Sequence, residues 1–339
     1  MTAGAFTVGC SGPTLTPGER AYLRDANPWG LILFGRNVVS LEQIARLTAD
    51  FRDCVGRDDA PVLIDQEGGR VQRIRPPLSF PHPPAARYGA LYETDPAAAL
   101  AAARAGAELM AAELAAVGVT VDCLPVIDVP AAGLTDAIGD RVYGRTAEAV
   151  AALGKAVIDG CLAQGVLPVI KHMPGHGRAT VDSHYELPKV AADRAALEAA
   201  DFAAFRHVAD APLGMSAHVV FEAIDPDRPA TLSPIVIQEI IRRHIGFDGL
   251  LMTDDLSMKA LKGPVGASAA GAIAAGCDIA LHCSGDMGEM IEVAAAAPRL
   301  EGRSAERAAR ALALLVGPRE VDMAALAATR DRLLAEAVA

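Results

Sequence analysis

A chain of 339 residues with 52% hydrophobic and only 4% aromatic side chains can bury a large core, and it has the length of one barrel with insertions. Its 31 Lys+Arg against 42 Asp+Glu give a formal charge of −11, so it offers no basic footprint for nucleic-acid phosphates or anionic lipid. Six cysteines (Cys10, Cys54, Cys123, Cys161, Cys277, Cys283) lie without CxxC spacing, which argues against a zinc ribbon and a disulfide framework.

In chain order, the first eighteen residues carry no charge, and Gly4–Cys10 is too short for a signal-peptide core, so the cytoplasm is the expected compartment. Ala5–Cys10 is the first of eight apolar runs that read as strands. The others are Gly30–Phe34, Pro61–Asp65, Val119–Val126, Leu167–His172, Leu213–Ala217, Gly249–Thr253 and Asp278–Cys283. Helical signals lie between them. Ser40 with Gln43 three residues on predicts a capping box ahead of Leu41–Asp53. Asp95-Pro96 and Ser233-Pro234 each predict an N-cap followed by proline at the first helical position. The Ala-rich stretch Ala97–Val117 is interrupted by Arg104, Glu108 and Glu113, so it is no membrane span. Ser304 is expected to open the helix after the last strand, with C-terminal helices over about 303–339.

Apolar strands alternating with helices predict a parallel sheet. An open doubly wound sheet is the rival. Eight strands in series, with polar residues collected just past their C-terminal ends, favour an α/β (β/α)8 TIM-type barrel forming a single domain over 1–339.

Those polar residues are Asp65, Gln66 and Glu67 with Arg70 and Arg73 after the third strand, and Asp128 after the fourth. Lys171 and His172 end the fifth and lead into a loop holding His176, Asp182 and His184. Ser216 and His218 end the sixth, and Thr253, Asp254 and Asp255 the seventh. Charged groups buried at a strand end without partners cost several kcal/mol, so they require partners, solvent or a ligand. Asp182 and His184 are one residue apart and can meet in a turn, where a carboxylate orients an imidazole for proton transfer. The spacing alone fits an Asx turn better. His172 and His176 are four apart and raise a metal reading, but Pro174 between them removes the helical HExxH geometry. Strand alternation puts Met252 and Asp254 on one side, inward, and turns Asp255 toward the following helix as a cap. A carboxylate nucleophile with a separate proton donor is the minimum for glycoside hydrolysis.

KHMPGHGRATVDSHYELP at Lys171–Pro188 closely resembles the KHFPGHG…DSH signature of bacterial β-N-acetylglucosaminidases in glycoside hydrolase family 3. DQEGGRVQR at Asp65–Arg73, IGDRVYG at Ile138–Gly144, AHVVFEAIDPDRPATLS at Ala217–Ser233 and TDDLSM at Thr253–Met258 are similar to the same family in the same order. The resemblance is greatest to the single-domain peptidoglycan-recycling type. It implies Asp254 as the nucleophile that forms a covalent glycosyl-enzyme, and His184 oriented by Asp182 as acid/base. It further implies that Asp65, Arg73, Arg141, Lys171 and His172 bind a terminal N-acetylglucosamine. The expected substrate is N-acetylglucosaminyl-anhydromuramic acid with or without peptide, with no metal and no organic cofactor. His218 matches a rim position of open role. Met173 stands where phenylalanine is usual, and Asp122-Cys123 replaces an Asn-containing segment. Four alternatives stay open: attack by the substrate's own acetamide with Asp254-Asp255 as the carboxylate pair, a family 3 β-glucosidase, phosphorolysis, and a non-catalytic sugar-binding protein.

Overall fold

The structure, a computed structural model, describes residues 2–131, 138–179, 181 and 186–336. All eight expected strands form: β1 Gly4–Val8, β2 Pro28–Leu33, β3 Val62–Ile64, β4 Val121–Asp122, β5 Leu167–Met173, β6 Leu213–Ser216, β7 Leu250–Met252 and β8 Ala280–His282. They make one parallel sheet in the order β7-β6-β5-β4-β3-β2-β1-β8. The bridge between Met252 and Ile279 brings β7 against the start of β8, and Thr253 N donates to Ile279 O at 3.0 Å. The sheet is thereby a closed barrel rather than the open rival.

Alternation divides each strand between two environments. Ile32, Leu63, Val121, Leu167, Val169, Leu213, Met215, Leu250, Met252 and Leu281 share the barrel interior, while Leu31, Leu33, Val62, Ile64, Ile170 and Leu251 pack outward under the helices. β4 is shorter than its apolar run because Pro125 has no N–H to give the ladder; beyond Asp122 the segment still accepts from Val169 N and Lys171 N at the Leu124 and Pro125 carbonyls, and Val126 bridges to Lys171.

The helix caps follow the sequence with two corrections. Asp95 accepts from Ala98 N at 3.0 Å and Ser233 Oγ from Val236 N at 3.1 Å. Ser40 Oγ caps Leu41–Val55 through Gln43 N, but the Gln43 side chain reaches back to Val39 N at 2.9 Å instead of to Ser40. Its amide nitrogen is taken by the carbonyls of Pro13 and Asn37, which draw it one residue beyond the box. Ser304 does not open the helix after β8. That helix is Met287–Ala296, capped by Asp286, and Ser304 lies inside the next one, Gly302–Leu312, where it donates to Asp278 Oδ1 at 2.6 Å. The Ala-rich stretch is the helix Pro96–Ala116, and among the described residues no helix is long and apolar enough to cross a membrane. All six cysteines are free thiols and buried.

The last helix, Met323–Glu336, sends a fully buried side chain into the body of the protein. Arg330 Nη1 donates to His82 Nδ1 at 3.3 Å, and His82 Nε2 meets Glu113 Oε2 at 2.7 Å. Gly106 makes room for it, since a Cβ there would stand 3.2 Å from Arg330 Cδ and 2.5 Å from the Tyr88 hydroxyl.

At the N-terminal end of the barrel, buried Asp278 accepts from Arg242, Arg307, Ser304 and the main-chain N–H of Leu251. It joins β7, β8 and two helices, and its removal leaves two cations without their shared anion. We expect Asp278→Ala to cost about 3–5 kcal/mol, the scale for breaking a buried ion pair. Urea denaturation at neutral pH checks this, and a loss under about 1 kcal/mol would contradict it.

Candidate active site

A cleft of about 320 Å³ opens at the C-terminal rim of the barrel, at the small end of the roughly 300–1,000 Å³ range of small-molecule sites. Asp65, Arg73, Arg141, Lys171, His172 and Asp254 all line it, so the six described residues expected to form the site do come together. Asp182 and His184 lie outside the described residues.

The wall near β3 is built by a small hairpin, Gln66–Gly68 paired with Val71–Gln72, that turns on Gly68 and Gly69 at φ 91° and 57°. Both values lie in the left-handed region that favours glycine, and at Gly68 a Cβ would stand 2.5 Å from Pro83 O. Gln66 staples the hairpin: its Oε1 accepts from Arg73 N and Ile74 N, and its own N–H donates to Asp122 Oδ1.

Charge at the floor is arranged as a linked set. Lys171 Nζ sits 3.0 Å from Asp65 Oδ1 and 2.6 Å from Glu67 Oε1. Arg73 Nη2 meets Asp65 Oδ2 at 3.0 Å, and Arg141 grips Glu67 with two bonds of 2.7 and 2.8 Å. Burial by itself would raise both carboxyls. Lys171 and Arg73 outweigh it at Asp65, holding that group well below the usual carboxylate range, and Arg141 with Lys171 draws Glu67 down to about 2. Lys171 is raised by Asp65 and Glu67 against its own burial cost, so it stays a cation. The set therefore presents fixed ionic hydrogen-bonding groups to a neutral polar ligand.

Lys171 and His172 are joined by a cis peptide, and both line the cleft. His172 Nδ1 meets Asp128 Oδ2 at 2.7 Å, while Asp128 Oδ1 accepts the main-chain N–H groups of His172 and His176 at 3.2 and 2.7 Å. A carboxylate on Nδ1 fixes the imidazole tautomer and leaves Nε2 for a ligand. Burial and the neighbouring His172 ring push His176 down to about 4, so it is neutral near pH 7. Among the described residues, no group of three or more His, Cys, Asp or Glu side chains stands close enough to hold a metal ion.

Leu250 and Met252 point into the barrel, and Asp254 continues that row upward to the cleft, half-buried. Its Oδ1 accepts from Asp255 N at 2.8 Å. Asp255 does not cap the following helix, which starts only at Val265 after Pro264. It instead closes a turn onto Ser257 N and Oγ and accepts from Cys283 N on the neighbouring β8 side, because that N–H is the nearer orphan donor.

Sequence reasoning passed over Glu67 and Asp128 as site residues. Glu67 stood in the motif two residues from Asp65, hence on the same side of an extended segment, and that parity was its signal. Asp128 was noted at the end of the fourth strand, but its tie to His172 is set by the closure of β4 on β5. The two departures have physical readings. Met173 is fully buried, with its Sδ lying 2.9 Å from where a Gly214 Cβ would be. Burial pushes the Asp122 carboxyl well above its ordinary range, and its Oδ1 accepts from Gln66 N–H at 3.0 Å.

A parallel barrel with a one-ligand cleft of ionic groups at its C-terminal rim defines a small-molecule barrel enzyme. Residues 15–313 match the Glycosyl hydrolase family 3 N terminal domain. A beta-hexosaminidase of Alkalilimnicola ehrlichii is 41% identical over 289 residues, covering 84% of this chain and 82% of that protein. One of Methylococcus capsulatus is 39% identical over 325 residues, 94% of each. The crystal structure of NagZ from Neisseria gonorrhoeae in complex with N-trifluoroacetyl-D-glucosamine superposes with a TM-score of 0.88 at 31% identity, covering 100% of this chain and 99% of that one. The chain belongs to glycoside hydrolase family 3.

Proposed function

We propose that this protein is a cytoplasmic, retaining exo-β-N-acetylglucosaminidase that removes terminal β-linked N-acetylglucosamine from anhydromuropeptide fragments of peptidoglycan. Relatives described as beta-hexosaminidases support the activity, and the N-acylglucosamine ligand of the gonococcal structure supports the sugar. The observation that carries the reading is Asp254, a carboxylate at the mouth of β7 facing a one-sugar cleft floored by Asp65, Glu67, Lys171, Arg73 and Arg141.

In this reading an Asp254 oxygen attacks the anomeric carbon as the bond from that carbon to the leaving oxygen breaks. Protonated His184, oriented by Asp182, gives its proton to that oxygen. Neutral His184 then takes a proton from water, whose oxygen displaces Asp254 and returns the carboxylate. Lys171, Arg73 and Asp65 hold the sugar hydroxyls, and His172 presents Nε2 to the ring.

Three measurements test it. Aryl β-N-acetylglucosaminide should be cleaved in strong preference to aryl β-glucoside, and a purified muropeptide should release N-acetylglucosamine; preference for the glucoside overturns the substrate. His184→Ala should lose little on activated phenols, which need no proton, and far more on the natural leaving group. Equal losses on both would remove His184 from the acid/base role.

A further inference from the structure

His218 is fully buried behind the cleft and does not line it, yet it is bonded at both ring nitrogens. Nδ1 lies 2.8 Å from Thr231 Oγ1, and Nε2 lies 3.0 Å from the main-chain carbonyl of Asp255. A carbonyl only accepts, so Nε2 carries the proton. Burial disfavours the charged ring, against the pull of Asp254 and Asp255. Nδ1 then accepts, and the donor it faces is the Thr231 hydroxyl at 2.8 Å, for whose proton the Ala217 carbonyl at 3.0 Å competes. Ser216 Oγ, 2.8 Å from Thr231 Oγ1, in turn donates to Thr231. The result is a directed relay from the end of β6, through Ser216, Thr231 and His218, to the peptide of Asp255.

Asp255 is the residue whose N–H holds Asp254 Oδ1 at 2.8 Å. Its carboxylate is tied to Cys283 N at the end of β8. The residue after Asp254 is thus clamped from both neighbouring strands, by His218 on the β6 side and by Cys283 N–H on the β8 side. We propose that His218 is a positioning residue: by donating Nε2–H to Asp255 O, it sets the turn that aims the Asp254 carboxylate at the anomeric carbon. The inference rests on Asp254 being the nucleophile. A misplacement near 1 Å at a reacting centre costs on the order of 10²-fold in rate, so the clamp is worth that much.

The two amide replacements separate this role from plain core structure. A glutamine side chain can place its Nε2 where His218 Nε2 stands, whereas asparagine reaches only the Nδ1 position and Thr231. His218→Gln is expected to keep most of kcat on an aryl β-N-acetylglucosaminide. His218→Asn is expected to lose roughly 10²-fold in kcat, with KM and inhibition by free N-acetylglucosamine close to wild type. Equal losses in the two, or a better-preserved asparagine variant, would overturn the proposal. Should either variant fail to fold, Thr231→Val serves instead, since it removes the donor that orients the ring. It is expected to lower kcat with the same unchanged inhibition, and a wild-type kcat would overturn the proposal. An active Asp254→Ala would instead strike the mechanism itself. An inactive Asp254→Ala, beside indistinguishable kinetics for His218→Gln and His218→Asn, would remove only the relay.

Discussion

Asp254→Ala should lower turnover by about 10⁴–10⁶-fold, the scale seen when a covalent nucleophile is deleted, while the protein still folds and still binds N-acetylglucosamine. The geometry separates the two properties. Asp254 is half-buried at the cleft wall, and its Oδ1 accepts from the next residue's N–H. The floor of the cleft is held by a different set of groups on β3, β5 and the turn carrying Arg141. Removing the Asp254 carboxylate therefore deletes the attacking atom and leaves the grip intact. Isothermal titration with the sugar, beside single-turnover kinetics on an aryl glycoside, reads both. Retained turnover would end the nucleophile assignment, and lost binding would show that Asp254 belongs to the grip.

Lys171→Met should damage folding and binding together. Lys171 is 2% exposed and bridges the buried Glu67 and the half-buried Asp65. Methionine fills a similar volume but leaves Asp65 and Glu67 facing each other with one cation fewer, a change costing about 3–5 kcal/mol. The sign with pH follows from the carboxyls. Glu67 is depressed to about 2 in the folded protein, so in wild type its contribution is full above the ordinary value of 4.5 and is lost as pH falls toward 2. Without Lys171 both carboxyls rise, and a proton taken up by either relieves the variant. The stability gap should thus be widest at neutral pH and close below about pH 4.5. Urea midpoints across that range check it; a gap that widens in acid would contradict the charge assignment.

The barrel was legible in the chain because alternation and length act locally. Each strand carries its own inward and outward row, and each helix its own cap. The failures came where one local signal had two possible partners. Gln43 could turn to Ser40 or Val39, and the carbonyls of Pro13 and Asn37 decided it. Asp255 could cap a helix or take Cys283 N–H, and β8 lay nearer. Ser304 looked like a start, but its hydroxyl belongs to Asp278 across the barrel end. Of the site, strand parity pointed to Asp254, and the motifs to Asp65, Arg73, Arg141, Lys171 and His172. The pairing of Glu67 with Arg141 was hidden because the two are 74 residues apart and nothing near either residue announces the other. The Asp128 link to His172, 44 residues distant, is of the same kind.

The buried arginine of the final helix reaches further than its position suggests. The same His82 that receives Arg330 offers its carbonyl to Gly69 N–H, and Glu113, its other partner, holds Phe80 N–H. The tail of the polypeptide is in this way a tension member for the glycine turn between Asp65 and Arg73. Trimming the enzyme back toward its barrel for convenience would slacken the very segment that cradles the ligand, with no substitution made anywhere near it.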